Sequence, residues 1–193
     1  MTRLKFGPKF LVLITIAVLA GASYAQDAIH AVTGAVTKVD TTAKTLALKT
    51  SDGAEEVFKY TEKTAVRDSH AAAHGTKMGV VESYFAGKEG AHVIVRYTGR
   101  GADKTATLVE DFGKDALKTG KGTITKVDRA AQTIAVKTDD GNEATYKLGS
   151  EAIVETEHGV VRGSRFAAKE GDKVVVHYTE SETGKVIHFF KKL

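Results

Sequence analysis

The chain contains its own sequence twice, and this limits its fold more than any other feature. Residues from Gly34 read GAVTKVDTTAKTLALKTSDGAEEVFKYT, and residues from Gly122 read GTITKVDRAAQTIAVKTDDGNEATYKLG. They align without a gap, and about half of the positions are identical. The match resumes where Phe85-Ala-Gly-Lys-Glu-Gly90 faces Phe166-Ala-Ala-Lys-Glu-Gly171 and HVIVRYT at 92–98 faces KVVVHYT at 173–179. A unit this long is a domain with its own core, not a short solenoid repeat. The expected organisation is a leader at 1–25, a first barrel at 26–112, a linker at 113–120 and a second barrel at 121–193.

Within each copy the patterning is β throughout. Val36–Asp40 and Thr45–Thr50 are short runs rich in Thr and Val, with Leu46 and Leu48 two residues apart. Asp40 opens the intervening turn, because its carboxylate can accept hydrogen bonds from the backbone just ahead. Asp52-Gly53 suggests a type I′ hairpin. Glu55–Thr61 is a third strand with Phe58 and Tyr60 on one side and Val57 on the other. His92–Thr98 alternates, with Val93, Val95 and Tyr97 on one face and His92, Ile94 and Arg96 on the other. Thr105–Phe112 closes the first copy, and Lys185–Phe190 closes the second. Three strands, a longer connection with room for a short helix, then two strands is the order of an OB-like barrel. The expected class is therefore all-β, with two tandem OB-like barrels of about five strands each. SH3-like barrels are the competing topology.

These motifs are Gly-x-(Val/Ile)-Thr-Lys-Val-Asp, Thr-(Leu/Ile)-Ala-(Leu/Val)-Lys-Thr and Lys-Glu-Gly-x-x-Val-x-Val-x-Tyr-Thr. In them the chain resembles exported bacterial small β-barrel repeat proteins of unknown function. The resemblance spans most of both copies and implies a periplasmic or secreted barrel module. It carries over no catalytic residue.

Residues 1–25 have the form of a secretory signal peptide. Arg3, Lys5 and Lys9 precede an apolar run from Leu11 to Ala20, and Ser23-Tyr24-Ala25 supplies small residues at the cleavage positions. The apolar run is about half the roughly 20 residues that a spanning helix needs, so no membrane span is expected after cleavage. Loss of the leader lowers the Lys and Arg count from 28 to 25 against 24 acids. A nearly neutral mature chain gives no ground for nucleic-acid binding.

The chain has no Cys, which excludes a disulfide framework, thiolate metal sites and a cysteine nucleophile. His70-Ala-Ala-Ala-His74 is the sharpest metal-ligand candidate, since one helical turn would stack both imidazoles. It lacks the glutamate of a His-Glu-x-x-His site and any third donor nearby. A copper chaperone of similar shape would bring Met, His and Trp together, but Trp is absent and Met78 is the only Met beyond the leader. No Gly-x-Ser-x-Gly elbow or Gly-Lys-Ser/Thr phosphate loop occurs. The recurrent Asp40 and Asp128, and Glu89 and Glu170, read as solvated turn residues. Phe58, Tyr60, Tyr97, Tyr146 and Tyr178 read as core filling rather than a stacking platform.

The expectation is an exported, non-catalytic binding or scaffold protein of the cell envelope with no cofactor. Its partner would be an envelope protein, a glycan or a small ligand. A periplasmic transition-metal binder using His70 and His74 is the alternative.

Overall fold

The computed structural model describes residues 28–69, 75–114, 117–163 and 168–193. The first repeat forms β1 (His30–Asp40), β2 (Thr45–Thr50), β3 (Glu55–Lys59), β4 (Ala65–Asp68), β5 (Thr76–Met78), α1 (Val81–Phe85), β6 (His92–Thr98) and β7 (Thr105–Asp111). The second forms β8 (Lys118–Asp128), β9 (Thr133–Thr138), β10 (Glu143–Thr156), β11 (Gly159–Arg162), β12 (Lys173–Ser181) and β13 (Gly184–Lys192). β8 starts inside the stretch expected as the 113–120 linker: Thr119 and Gly120 pair with His177 and Val176.

Each repeat closes on itself. In the first, the ring runs β3-β2-β1-β6-β7 and is shut by the parallel pair Lys59↔Thr105. In the second it runs β10-β9-β8-β12-β13, and β10 returns to β13 in parallel register from Tyr146↔Lys185. Numbered within a repeat, both rings have the order 1-2-3-5-4-1 of an OB barrel, which decides against the SH3-like topology. The third barrel strand is split into β3 and β4 in the first repeat. In the second it is the single strand β10, with a register break between Leu148 and Ile153.

The first barrel strand shows why the glycine-led motif recurs. It pairs with the second strand along one half and the fourth along the other, and it turns at a bulge between Val36 and Lys38, or Ile124 and Lys126. Gly34 and Gly122 sit where a neighbouring strand presses in. A Cβ would stand 2.8 Å from the Lys49 carbonyl oxygen at Gly34 and 2.2 Å from the Lys137 carbonyl oxygen at Gly122.

The turns are also duplicated. Asp40 Oδ1 accepts the Thr42 and Ala43 amides at 3.1 and 2.8 Å, and Asp128 Oδ1 accepts Ala131 at 2.8 Å. Lys44 and Gln132 close these turns with φ of 53° and 54°. At the next hairpin only Gly53 and Gly141 have positive φ, 86° and 88°. A type I′ turn needs two such residues, so the expected I′ turn is replaced by a longer loop closed by Thr50 N–H to Ala54 and Thr138 N–H to Asn142.

The two cores are built alike. Val36, Leu46, Leu48, Phe58, Tyr60, Val93, Val95 and Val109 fill the first barrel, with Val81 and Phe85 of α1 plugging its mouth. Ile124, Ile134, Val136, Tyr146, Val154, Val174, Val176, Ile187 and Phe190 fill the second. Phe58 meets Tyr97 at 5.0 Å in the first, and Tyr146 meets Tyr178 at 5.0 Å in the second. A lysine lies over each pair: Lys104 at 5.7 and 5.6 Å, Lys185 at 5.7 and 5.6 Å. Phe58, Tyr60 and Tyr146 are buried and Tyr97 and Tyr178 half-buried, so the aromatics serve the cores, as expected.

Candidate functional site at the seam between the barrels

The outer face of β6 is not a solvent face. Ile94 packs with Ala31 and Phe112 of the first half, and with Leu117 just ahead of β8, against Ile153 and Phe189 of the second, forming a third apolar cluster. Phe112 also meets the His188 ring at 4.8 Å. The start of the first barrel completes the junction: the Ile29 carbonyl accepts the Val160 amide of β11 at 2.7 Å. The barrels therefore meet along a seam with its own hydrophobic interior.

Polar groups ring this interior. His177 is only 5 % exposed. It lies within hydrogen-bond distance of Thr33 Oγ1 across the seam, at 3.2 Å, and of Thr119 Oγ1 on its own barrel, at 3.1 Å. Its ring stacks on Phe189 at 5.3 Å. Burial, reinforced by the Lys191 ammonium, pushes its pKa from 6.5 down to about 4, so the ring is held neutral.

Ion pairs at equivalent strand positions carry opposite polarity. Arg67 of β4 stands beside Glu110 of β7, 3.9 Å apart, and faces Glu151 of the second repeat at 3.8 Å. Aligning Val66-Arg67 with Val154-Glu155 places Glu155 at the Arg67 position and Lys191 at the Glu110 position. Glu155 stands 3.8 Å from Lys191 and faces His30 of the first repeat at 3.4 Å.

Beside the first pair the seam opens into a cleft of about 770 Å³. Arg67, Ser69 and Glu110 form one wall, and Lys147, Ser150, Glu151 and His188 form much of the other. The walls come from β4 and β7 on one side and from β10 and β13 on the other. The cleft exists only because the two barrels abut. Donors and acceptors from both repeats converge on it.

Arg96 stands behind this wall on β6. It sits where the second repeat has His177, if HVIVRYT is laid on KVVVHYT. Its Nε and Nη2 atoms are buried without a hydrogen-bond partner, as is Arg67 Nε. Desolvation lowers the Arg96 pKa; Glu110 and Glu151 oppose the shift, and Arg67 and Arg162 reinforce it. The guanidinium therefore lies in the field of both barrels.

His70 and His74, the expected metal ligands, fall between β4 and β5 and lie outside the described residues, as does the 1–25 leader. His92 and His177 line one small cavity of about 250 Å³, with Thr33, Lys49 and Thr119 among its other walls. Among the described residues no group of three or more His, Cys, Asp or Glu converges as a metal site. None of the described helices is long and apolar enough to cross a membrane. Sequence reasoning assigned no role to Arg67, Arg96, Glu110 or Glu151. The available signal was Ile94, an aliphatic residue on the outward face of an alternating strand.

Taken together, these features define an all-β protein of two closed OB-like barrels joined through a partly polar seam. No family model and no curated protein matches the chain. Among solved structures it is similar to silver-bound CusF, at 12 % identity over 40 % of this chain and 97 % of that one, with a TM-score of 0.32. Apo-CusF from Escherichia coli matches at 12 % identity over 40 % of this chain and 87 % of that one, with a TM-score of 0.31. A tryptophan-to-alanine variant of the Escherichia coli protein with Cu(II) matches at 12 % identity over 42 % and 96 %, with a TM-score of 0.33.

Proposed function

We propose that the chain is an exported, non-catalytic binding protein of the cell envelope, acting in the periplasm or after secretion, and that its ligand occupies the cleft at the barrel seam. The observation that carries this reading is the cleft itself: about 770 Å³, with charged and hydroxyl side chains contributed by both repeats. That volume lies within the range of small-molecule sites. Several other polar groups on the barrels have local duties. Asp40, Asp52, Asp128 and Asp140 organise turns, and Lys104 and Lys185 cover aromatic pairs. Glu110, Glu151 and Lys147 meet at no turn and gather around an opening instead. Export is supported by the tripartite leader sequence.

The test is a native mass spectrum of the mature protein isolated from its own envelope, beside the same protein carrying Ser150→Trp. Ser150 lies on the cleft wall, and an indole there occupies the opening. The expected result is a retained small molecule on the wild type that is lost from the variant. A ligand retained equally by both proteins would place binding elsewhere.

A further inference from the structure

We infer that the seam cleft takes a ligand bearing an oxyanion, a carboxylate or a phosphoryl or sulfuryl group, contacted by Arg67 and drawn in by the positive charge of Arg67, Lys147 and the neighbouring Arg96. This deepens the binding reading above and rests on it.

The argument begins with hydrogen-bond accounting. Buried guanidinium donors are normally matched by acceptors, because stripping water from a charged donor and returning nothing is costly. In this seam three such donors, Arg67 Nε and Arg96 Nε and Nη2, find no acceptor among the described residues. The two carboxylates nearest Arg67 do not remedy this. Its Nη1 atom is 3.9 Å from Glu110 and 3.8 Å from Glu151, beyond hydrogen-bond length at both.

Charge counting points the same way. Arg67 and Lys147 line the cleft, and Arg96 stands close enough to feel Arg67, Glu110 and Glu151. Three cations, Arg67, Lys147 and Arg96, therefore stand around the two carboxylates Glu110 and Glu151. The surplus is positive, and Arg67, its cleft-lining guanidinium, is largely shielded from water, with 18 % of its side chain exposed. Strand register explains the arrangement. On the outer face of the β4-β7-β6 sheet, Glu110 is flanked directly by Arg67 and Ile94. Arg96 lies two residues along from Ile94, beside Leu108, so the field of Glu110 reaches both guanidinium groups. Planar guanidinium and planar or tetrahedral oxyanions match in geometry as well as charge, which favours arginine over lysine at such a site.

The experiment is thermal unfolding of the mature full chain in graded inorganic phosphate, and separately in citrate, at an ionic strength held constant with chloride. The expected result is saturable protection by at least one anion, with half-saturation weakened about tenfold or more in Arg67→Gln and in Arg96→Met. Which anion protects distinguishes a phosphoryl from a carboxylate ligand. Arg96→Lys is the second variant in case Arg96→Met fails to fold. It keeps the charge but loses the planar fork, and intermediate protection is expected. If neither anion protects the wild type beyond chloride, the oxyanion inference falls. It then falls alone if the native protein still carries a molecule that Ser150→Trp displaces, and together with the binding reading if nothing is carried. Protection that is unchanged in both Arg67→Gln and Arg96→Met would also overturn it.

Discussion

Thr33 and His177, 144 residues apart in the chain, lie within hydrogen-bond distance across the barrel seam, with Thr33 Oγ1 3.2 Å from the imidazole. The contact joins the first strand of one repeat to the fourth strand of the other, and burial keeps the His177 ring neutral. Because the folded pKa is about 4 against an ordinary 6.5, the unfolded chain takes up this proton first as pH falls. The contribution of His177 to stability is thus fully present above pH 6.5 and is lost as pH falls towards 4. The shift corresponds to roughly 3 kcal/mol at most. Urea unfolding at pH 7.5 and 4.5 should show a larger loss for the wild type than for His177→Gln. Equal losses would mean that the ring is not buried in the folded protein.

The close approach at the glycine-led strands predicts an order of damage. Gly122→Ala should destabilise more than Gly34→Ala, because its Cβ would meet a carbonyl oxygen at 2.2 rather than 2.8 Å. Both contacts are with backbone, which yields less readily than a side-chain end. Losses of about 1–3 kcal/mol are expected for such overpacking, with Gly122→Ala at the upper end or beyond it. Chemical denaturation of the two variants checks the order.

Seam and core should separate on mutation. Ile94→Asp buries a charge in the apolar cluster between the barrels, whereas Val95→Asp puts one inside the first barrel. The first should enlarge the radius measured by small-angle scattering while leaving β-type circular dichroism in place. The second should abolish the fold of the first repeat. If each repeat holds its own core, the pieces 26–113 and 119–193 should fold separately and recombine when mixed, since each exposes its half of the seam.

For His70 and His74 the expectation is modest, pH-dependent affinity, because two imidazoles leave a metal shell to be completed by water. Calorimetric titration with Zn²⁺ at pH 7.5 should give weak binding that is nearly unchanged by the double substitution His70→Ala, His74→Ala. Tight one-to-one binding abolished by that change would make metal the ligand of this protein.

Cleavage of the leader after Ala25 predicts a mature chain that starts at Gln26. N-terminal sequencing of exported protein reads this directly, and a full-length chain held in the membrane would contradict it.

Much of each barrel was legible because its rules are local. Asp at the first turn, Gly at the second and alternation along β6 all follow from backbone chemistry within a few residues. The third strand behaves as its pattern implies, with Phe58 and Tyr60 buried and Val57 48 % exposed. The seam was not legible, because its partners are distant in sequence and partly polar. Alternation put Ile94 and Arg96 on the face opposite Val93, Val95 and Tyr97, but no local rule says that a second barrel covers that face. One clue stood in the last strand. Phe189 and Phe190 are adjacent, so they must point to opposite sides, and a pair of neighbouring aromatics implies burial on both. Phe190 fills the barrel and Phe189 fills the seam. The role of Arg67 had no such clue, since an arginine opposite a glutamate on a strand reads as an ordinary solvated pair.

The reversed polarity of the Arg67–Glu110 and Glu155–Lys191 pairs has a consequence for how whole chains meet. A repeat that presents Arg67 finds Glu151 on the other repeat, and one that presents Glu155 finds His30. With Val66 laid on Val154, Lys63 stands where the second repeat has Glu151, so two first repeats from different molecules would set Arg67 against a lysine. A duplicated gene begins with two identical faces, each able to stick to any copy of itself. At these positions the two halves now differ, and Arg67 meets its acid on the second repeat of the same polypeptide.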